Sequence, residues 1–217
     1  LVRALHLETE IPGRDPIYKD CPWRADGICE IIIPPHMEKE NYMCASACFF
    51  VFVAGVHRIT YLELQDEPIL GVHRPFFSDN DLKALSADEA IGSANRLRAF
   101  VESYLKEMDV PAKYAELIFS VPKDQIRWVT GAEFKSDLNG FIPVLKDWMD
   151  ARCDKRTDVE KAMWEELQHK ADAQMTPTEK AVSDLLIKKA SEQSKCESYA
   201  LSDLSRQAYL KVFAKQN

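Results

Sequence analysis

Residues 43–58 read MCASACFFVFVAGVHR: small residues around Ser46, an apolar run, then Gly55 and a basic turn. How this stretch folds decides the rest of the chain. Read as a strand, ASACFFVFVAG would be the buried centre of a sheet; read as a helix, it would start near the serine. Its aromatics and valines suit the first, its length and the small residues at its start suit the second, and periodicity leaves both open. Ser46 is accordingly either a nucleophile at a helix start or a small residue that lets a buried element pack closely. The nucleophile reading needs a base for the serine and donors for an oxyanion.

Around this stretch lie 217 residues, 46% of them hydrophobic, enough to bury a core as one domain with an extension or as two small domains. A formal charge of −7 and a pI near 5.3 exclude a nucleic-acid or anionic-membrane surface, since both need a basic patch to displace counterions. The longest apolar run, from Phe49 to Val56, is far short of the ~20 residues of a membrane helix, so no membrane span is expected in this chain. The chain opens on Leu1 without a basic n-region, and the expectation is that a targeting segment precedes it.

Residues 11–42 are rich in Pro, Gly, Asp and charge, with one apolar island, CEIII at 29–33; they read as a long surface excursion carrying a short strand. After the Ser46 stretch, residues 57–64 and 68–77 read as short strands separated by QDEP. Ser86-Ala-Asp-Glu89 is a capping box, and the apolar spacing after it predicts an amphipathic helix over 87–108. Val110-Pro111 breaks that helix, and a shorter one is expected over 112–120. Residues 125–129 can form a strand, and Thr130 opens a further helical turn that Asn139-Gly140 ends. This is the rhythm of a mixed α/β domain over residues 1–154. Residues 155–217 are charged and alanine-bearing, with helix starts expected at Thr157, Thr176 and Ser202, and form an all-helical extension.

His6, His36, His57, His73 and His169 are the available bases. A nucleophilic serine needs an imidazole within hydrogen-bond reach and a third group to fix its tautomer. His73 ends the strand-like ILGVH and precedes Arg74-Pro75, which puts its ring where a strand leaves the sheet, the usual location of catalytic groups in open α/β folds. His57, at a turn beside Arg58, and His169, in a charged helix, read as solvated.

CASACFFVFVAGVHR followed by ILGVHRP resembles the Clp-protease-like branch of the ClpP/crotonase superfamily, in particular bacterial periplasmic or secreted proteins related to Clp proteolytic subunits. In that family the nucleophile sits in a small-residue turn, an apolar helix ends in Ala-Gly, and the histidine lies in a His-x-Pro at the end of a later strand. Ser46, Ala54-Gly55 and His73-Arg74-Pro75 match those positions in order. The family's aspartate follows two helices and precedes a Ser/Thr-Ala-x-Glu segment, the place of Asp124 ahead of TGAEFKSDLNGFI. LHLETEIP is similar to the family's strand before the serine turn, so the resemblance covers about residues 1–150.

The resemblance implies an α/β fold of the ClpP/crotonase type, with FFVFVAG as the helix that follows Ser46. It implies Ser46 as nucleophile, His73 as general base and then acid, Asp124 as orienting carboxylate, and the Ala47 amide as an oxyanion donor at the helix N-terminus. A peptide or protein substrate, no cofactor, a tendency to form a homo-oligomer, and a periplasmic or secreted location follow from it, with the cytoplasm as the alternative. The chain departs from the family in two respects. The Gly-Gly segment that supplies a second oxyanion donor has no counterpart before Ser46, where Gly13 and Gly27 stand in another context, and the 11–42 excursion is longer than the usual connection.

Six cysteines permit three disulfides in an oxidising compartment. Cys21-x7-Cys29 and Cys44-x3-Cys48 lack the paired spacing of a zinc ribbon, and His36 stands in a loop, so no metal site is expected. If Cys44 and Cys48 are i, i+4 neighbours on a helix, their geometry suits a mutual disulfide poorly. The expectation is therefore that Cys21 or Cys29 bonds to Cys44 and pins the excursion beside the serine turn, that Cys48 is a buried free thiol, and that Cys153 and Cys196 bridge core and helical tail. Six reduced thiols in a cytoplasmic protein are the alternative. For function, a serine hydrolase, most naturally a peptidase, stands against a catalytically silent Clp-like scaffold that binds peptide or protein. Acyl-CoA chemistry on the crotonase fold has no adenine-pocket signal in the sequence.

Overall fold

The computed structural model describes residues 1–11, 17–19, 30–32, 43–60, 70–168, 170 and 174–214. These form two compact units, one of residues 1–3 and 7–142, the other of residues 4–6 and 143–217. In the first unit the elements are β1 (Glu8–Ile11), β2 (Ile17–Lys19), β3 (Glu30–Ile32), β4 (Cys44–Ala45), α1 (Ala47–Val53), β5 (His57–Thr60), β6 (Leu70–Val72), α2 (Asp79–Lys83), α3 (Ala87–Glu107), α4 (Lys113–Ser120), β7 (Arg127–Trp128), α5 (Gly131–Asp137) and β8 (Gly140–Phe141). The second holds α6 (Pro143–Arg152), α7 (Asp158–Leu167) and α8 (Pro177–Phe213). The chain is mixed α/β and mostly helical, and the ambiguous run after Ser46 is a helix.

Six strands of the first unit are divided between two three-stranded sheets. One has the order β1-β5-β8, with β1 parallel and β8 antiparallel to β5; the other has the order β4-β6-β7, with β4 parallel and β7 antiparallel to β6. β2 and β3 pair as a separate antiparallel ladder. α1 leaves the end of β4 in one sheet and delivers the chain to β5 in the other. Its inward face carries Phe49, Phe52 and Val53, spaced i, i+3, i+4, buried among Val101, Leu105, Tyr114, Ile118 and Phe134. Phe49 stacks on Tyr114 with ring centroids 6.0 Å apart. Burial, followed by the Asp137 carboxylate, pushes the Tyr114 phenol well above its ordinary value, so it stays a donor and bonds Asp137 at 3.2 Å.

A seven-residue helix has more than half of its carbonyls in its last turn, where intrahelical partners run out. Here side chains from three other elements supply them. Tyr104 Oη of α3 donates to Phe50 O at 2.7 Å, Thr9 Oγ1 of β1 donates to Phe52 O at 2.6 Å, and Arg58 Nη2 of β5 donates to Val53 O at 2.6 Å. Gly55 makes the second of these contacts fit, because a Cβ there would come within 2.0 Å of Thr9 Oγ1. Arg58, read from the sequence as part of a basic turn, is 3% exposed and also reaches Gly55 O and Met108 O, the latter beyond the end of α3. α3 ends in a Schellman turn: Asp109 adopts φ 54°, its amide bonds Lys106 O and that of Val110 bonds Leu105 O.

The capping signals hold as read, while the strand read over 68–77 is confined among the described residues to Leu70–Val72. Capping boxes open α3 at Ser86/Glu89, α5 at Thr130/Glu133, α7 at Thr157/Glu160 and α8 at Thr176/Glu179. One expectation needs correction: Ser202 starts no helix, because α8 runs unbroken through it from Pro177 to Phe213. α6 falls in the same compact unit as the helices that follow, and the Cys153–Cys196 disulfide joins its end to α8. Within the second unit Leu145, Met149, Leu167, Leu186 and Leu201 are buried, and Lys189 and Lys170 bond Glu160 and Glu179 at 2.9 and 2.6 Å. Among the described residues no helix is long and apolar enough to cross a membrane.

Two outcomes follow. Arg58→Met strips the partners from Val53 O and Gly55 O, and since an unsatisfied buried carbonyl costs about 1–3 kcal/mol, unfolding in urea is expected to show a loss of about 2–6 kcal/mol. The bonds from Lys189 to Glu160 and from Lys170 to Glu179 draw both carboxyls down to about 2 from 4.5. Folded values below the unfolded ones mean a stabilisation that is complete above pH 4.5 and lost as pH falls towards 2. In an acid titration followed by circular dichroism, Lys170→Met/Lys189→Met is expected to lose helix at higher pH than the parent.

Candidate active site

Ser46 sits between β4 and α1 with φ 59° and ψ −120°. A side chain at positive φ crowds the backbone, and such a residue costs on the order of 1–3 kcal/mol, which persists only where the surroundings enforce it. The contrast with the other helix starts is informative. Ser78, Ser86 and Thr130 hold extended backbone angles and accept a hydrogen bond from their own helix through the side-chain oxygen. Ser46 makes no side-chain cap bond. Its hydroxyl does not fill the capping role that serine usually has at this position.

The sheet β4-β6-β7 sets what surrounds it. Ala45 pairs with Gly71, and Ser46 N donates to Gly71 O at 3.2 Å, so the serine leaves the sheet beside the end of β6, one residue before His73. Adjacent strands lie about 4.8 Å apart. Gly71 is needed for this sheet to close, because a Cβ there would meet Ile126 Cγ2 at 2.5 Å and the Trp128 ring at 2.9 Å. β7 pairs Arg127 with Val72, and its register runs back towards the turn in which Gln125 N bonds Pro122 O and which contains Asp124. Ser46, His73 and Asp124 therefore leave the same end of three neighbouring strands, in the order β4, β6, β7. The Arg127–Glu133 pair, at 2.6 Å, fastens β7 to α5, and this bond, more than any other contact, holds the Glu133 carboxyl below its ordinary value.

The three side chains are not joined in this conformation. His73 Nδ1 lies 3.0 Å from Arg74 O. A carbonyl only accepts, so Nδ1 is the donor in this contact, and in the neutral ring Nε2 is then the nitrogen left with a lone pair, as a general base requires. Asp124, expected to fix that tautomer, is exposed, and among the described residues no hydrogen bond links it to His73 or His73 to Ser46. The Ala47 amide opens α1, whose first backbone bond runs from Phe49 N to Ser46 O at 3.0 Å.

The cysteine pairing differs from expectation. Cys44 bonds Cys48, with Cα atoms 5.1 Å apart, so Cys48 is not a free thiol and Cys44 is not held by the excursion. The reason is the backbone at Ser46: Cys44 lies on a strand, not on the helix, and the left-handed turn brings it back over the first turn of α1. Cys153 and Cys196 pair as anticipated. Cys21, Cys29, His36 and His169 lie outside the described residues. His57 is also unlike its reading as a solvated group: Nδ1 is 2.5 Å from Glu8 Oε2 and the ring stacks on Phe141 at 3.8 Å, a cross-strand cluster on the other sheet. Among the described residues no three His, Cys, Asp or Glu side chains converge as metal ligands would.

Two hollows adjoin the His73-Arg74-Pro75 segment. One, of about 290 Å³, is lined by Phe50, Val51, Pro75, Leu97, Phe100 and Tyr104 among others; the second, of about 540 Å³, shares Pro75 and Leu97 and adds Arg74, Phe76, Phe119 and Lys123. No family model, curated protein or solved structure matches the chain.

Replacing Ser46 separates strain from chemistry. Ser46→Ala retains a Cβ at positive φ, whereas Ser46→Gly removes it, and glycine adopts that backbone without penalty. Ser46→Gly is expected to be more stable than Ser46→Ala by about 1–3 kcal/mol in chemical denaturation; equal stabilities would show that the elbow is unstrained.

Proposed function

We propose that the chain is a serine hydrolase, a peptidase on a fold of the ClpP/crotonase type, with Ser46 as nucleophile, His73 as general base and then acid, and Asp124 as the third member. The observation that carries this reading is the strained elbow: a serine at positive φ between a strand and a helix, its hydroxyl unused for capping, beside a histidine on the next strand. In attack, Nε2 of His73 takes the Ser46 proton as Oγ bonds the substrate carbonyl carbon, and the oxyanion that forms meets the Ala47 amide. Approach of substrate is the step that shortens such contacts, which are often long in an unliganded enzyme. The hollows on either side of Pro75 offer apolar walls to an extended peptide. The successive crossing of β4, β5 and β6 between two sheets is in keeping with a spiral fold of this kind. Two disulfides favour a periplasmic or secreted location.

A second reading, a silent Clp-like scaffold that holds peptide or protein, draws on one observation: the His73 Nδ1 proton is bound to Arg74 O and not to Asp124. A fluorophosphonate probe and a chromogenic ester distinguish the two. Under the hydrolase reading the probe labels Ser46, and Ser46→Ala or His73→Gln lowers turnover by about 10⁴–10⁶-fold, while His57→Gln does not. A protein that stays folded and unlabelled is the scaffold. Asp124→Asn then identifies the third member: a fall of about 10⁴-fold assigns tautomer control to the carboxylate, an unchanged rate to the Arg74 carbonyl.

A further inference from the structure

The Cys44–Cys48 disulfide spans the elbow whose apex is Ser46. One sulfur comes from β4, where Cys44 is 4% exposed within the core, and the other from the exposed Cys48 in the first turn of α1. As a clamp on the unfolded chain this bridge does little, because the stabilisation a disulfide gives in that way grows with the loop it closes. Its partners are 4 residues apart, against 43 for Cys153–Cys196. What the bridge constrains is local: the angle between the last strand residues and the helix, which is the backbone of Ser46 itself.

Little else holds that angle. β4 is two residues long, Ser46 is tied to the sheet through one backbone bond to Gly71 O, and its side chain makes no cap bond. The far end of α1, by contrast, is fixed by Tyr104, Thr9 and Arg58. A residue with a Cβ at φ 59° relaxes to negative φ if its flanks are free to move. We infer that the Cys44–Cys48 disulfide is a positioning element for the nucleophile, tying the start of α1, which no side chain caps, back to β4 and holding Ser46 Oγ where it can attack. The inference rests on Ser46 being the nucleophile, and the experiment separates the two.

The test compares Cys44→Ala/Cys48→Ala with Cys153→Ala/Cys196→Ala. It measures the rate of fluorophosphonate labelling, kcat and KM on a p-nitrophenyl ester, and the thermal midpoint. A misplacement of about 1 Å costs about 10²-fold in rate. Loss of the elbow bridge is therefore expected to slow labelling and kcat by about that factor, leave KM near its parent value and move the midpoint less than loss of the longer bridge, which leaves the rate intact. If the first variant does not fold, the folded Cys153→Ala/Cys196→Ala protein is treated with dithiothreitol. The dithiol gives two electrons and two protons, opens the bridge to two thiols and becomes a cyclic disulfide; the rate is expected to fall, and to recover when oxidised glutathione takes the electrons back. An unchanged labelling rate at Ser46 with the bridge gone overturns the inference and leaves the hydrolase standing. Labelling or turnover that survives Ser46→Ala, or is absent from the parent protein, overturns both.

Discussion

A guanidinium buried as deeply as that of Arg58 must find acceptors for its donors, and it finds them at the ends of two helices at once. It donates to the carbonyls of Val53 and Gly55 that close α1 and, with Arg3, to that of Met108 beyond α3. A helix C-terminus carries partial negative charge, so the cation is stabilised by the same groups it satisfies. Burial, and after it the neighbouring Arg3, lowers its pKa to about 10, which still leaves it charged at neutral pH. Without this knot the seven-residue α1 has no length of its own to rely on, since a helix that short is marginal in water. The serine at its other end is positioned by what happens here.

Local devices were legible in the sequence and long-range ones were not. The capping boxes of α3, α5, α7 and α8 show in pairs of residues three apart, because both partners lie within one turn. The helical nature of 47–53 does not show, because a short element buried on one face and tied down by side chains from β1, β5 and α3 needs no amphipathic period of its own. Arg58 reads as a surface turn residue for the same reason: nothing near it in the chain announces Met108, fifty positions away. The cysteines mislead through geometry. Spacing of four implies a helix turn, and only the positive φ at Ser46, which no residue type in CASAC encodes, turns that spacing into a strand-to-helix bridge.

The members of the candidate site were named from the resemblance and, for His73, from the strand it ends; the contacts between them were not legible. The parallel pairing of β4 with β6 sets Ser46 and His73 at neighbouring strand ends. Asp124, named from the resemblance alone, is exposed, and His73 Nδ1 faces the Arg74 carbonyl instead. A backbone acceptor one residue away is always within reach of a histidine at a strand end, whereas a carboxylate on a separate turn must be brought to it. Tautomer and orientation are thus separable: a carbonyl acceptor at Nδ1 can select the tautomer of a neutral ring without directing Nε2 at Ser46.

That division of labour would suit a nucleophile held under strain, the role proposed for Ser46. The elbow is fixed from both sides, by polar contacts at the C-terminal end of α1 and by a covalent bridge at its start. His73 has more freedom: its ring is partly exposed, Phe76 is 6.1 Å away, and it opens a segment, 73–78, without regular structure. The two hollows share Pro75 of that segment, and the smaller one is also walled by Phe50 and Val51 of α1, so a peptide laid along them would touch both the segment that follows the histidine and the helix that follows the serine. Under the proposed reading, rigidity at the serine and adjustability at the histidine would let a short attack distance form only when that cleft is filled.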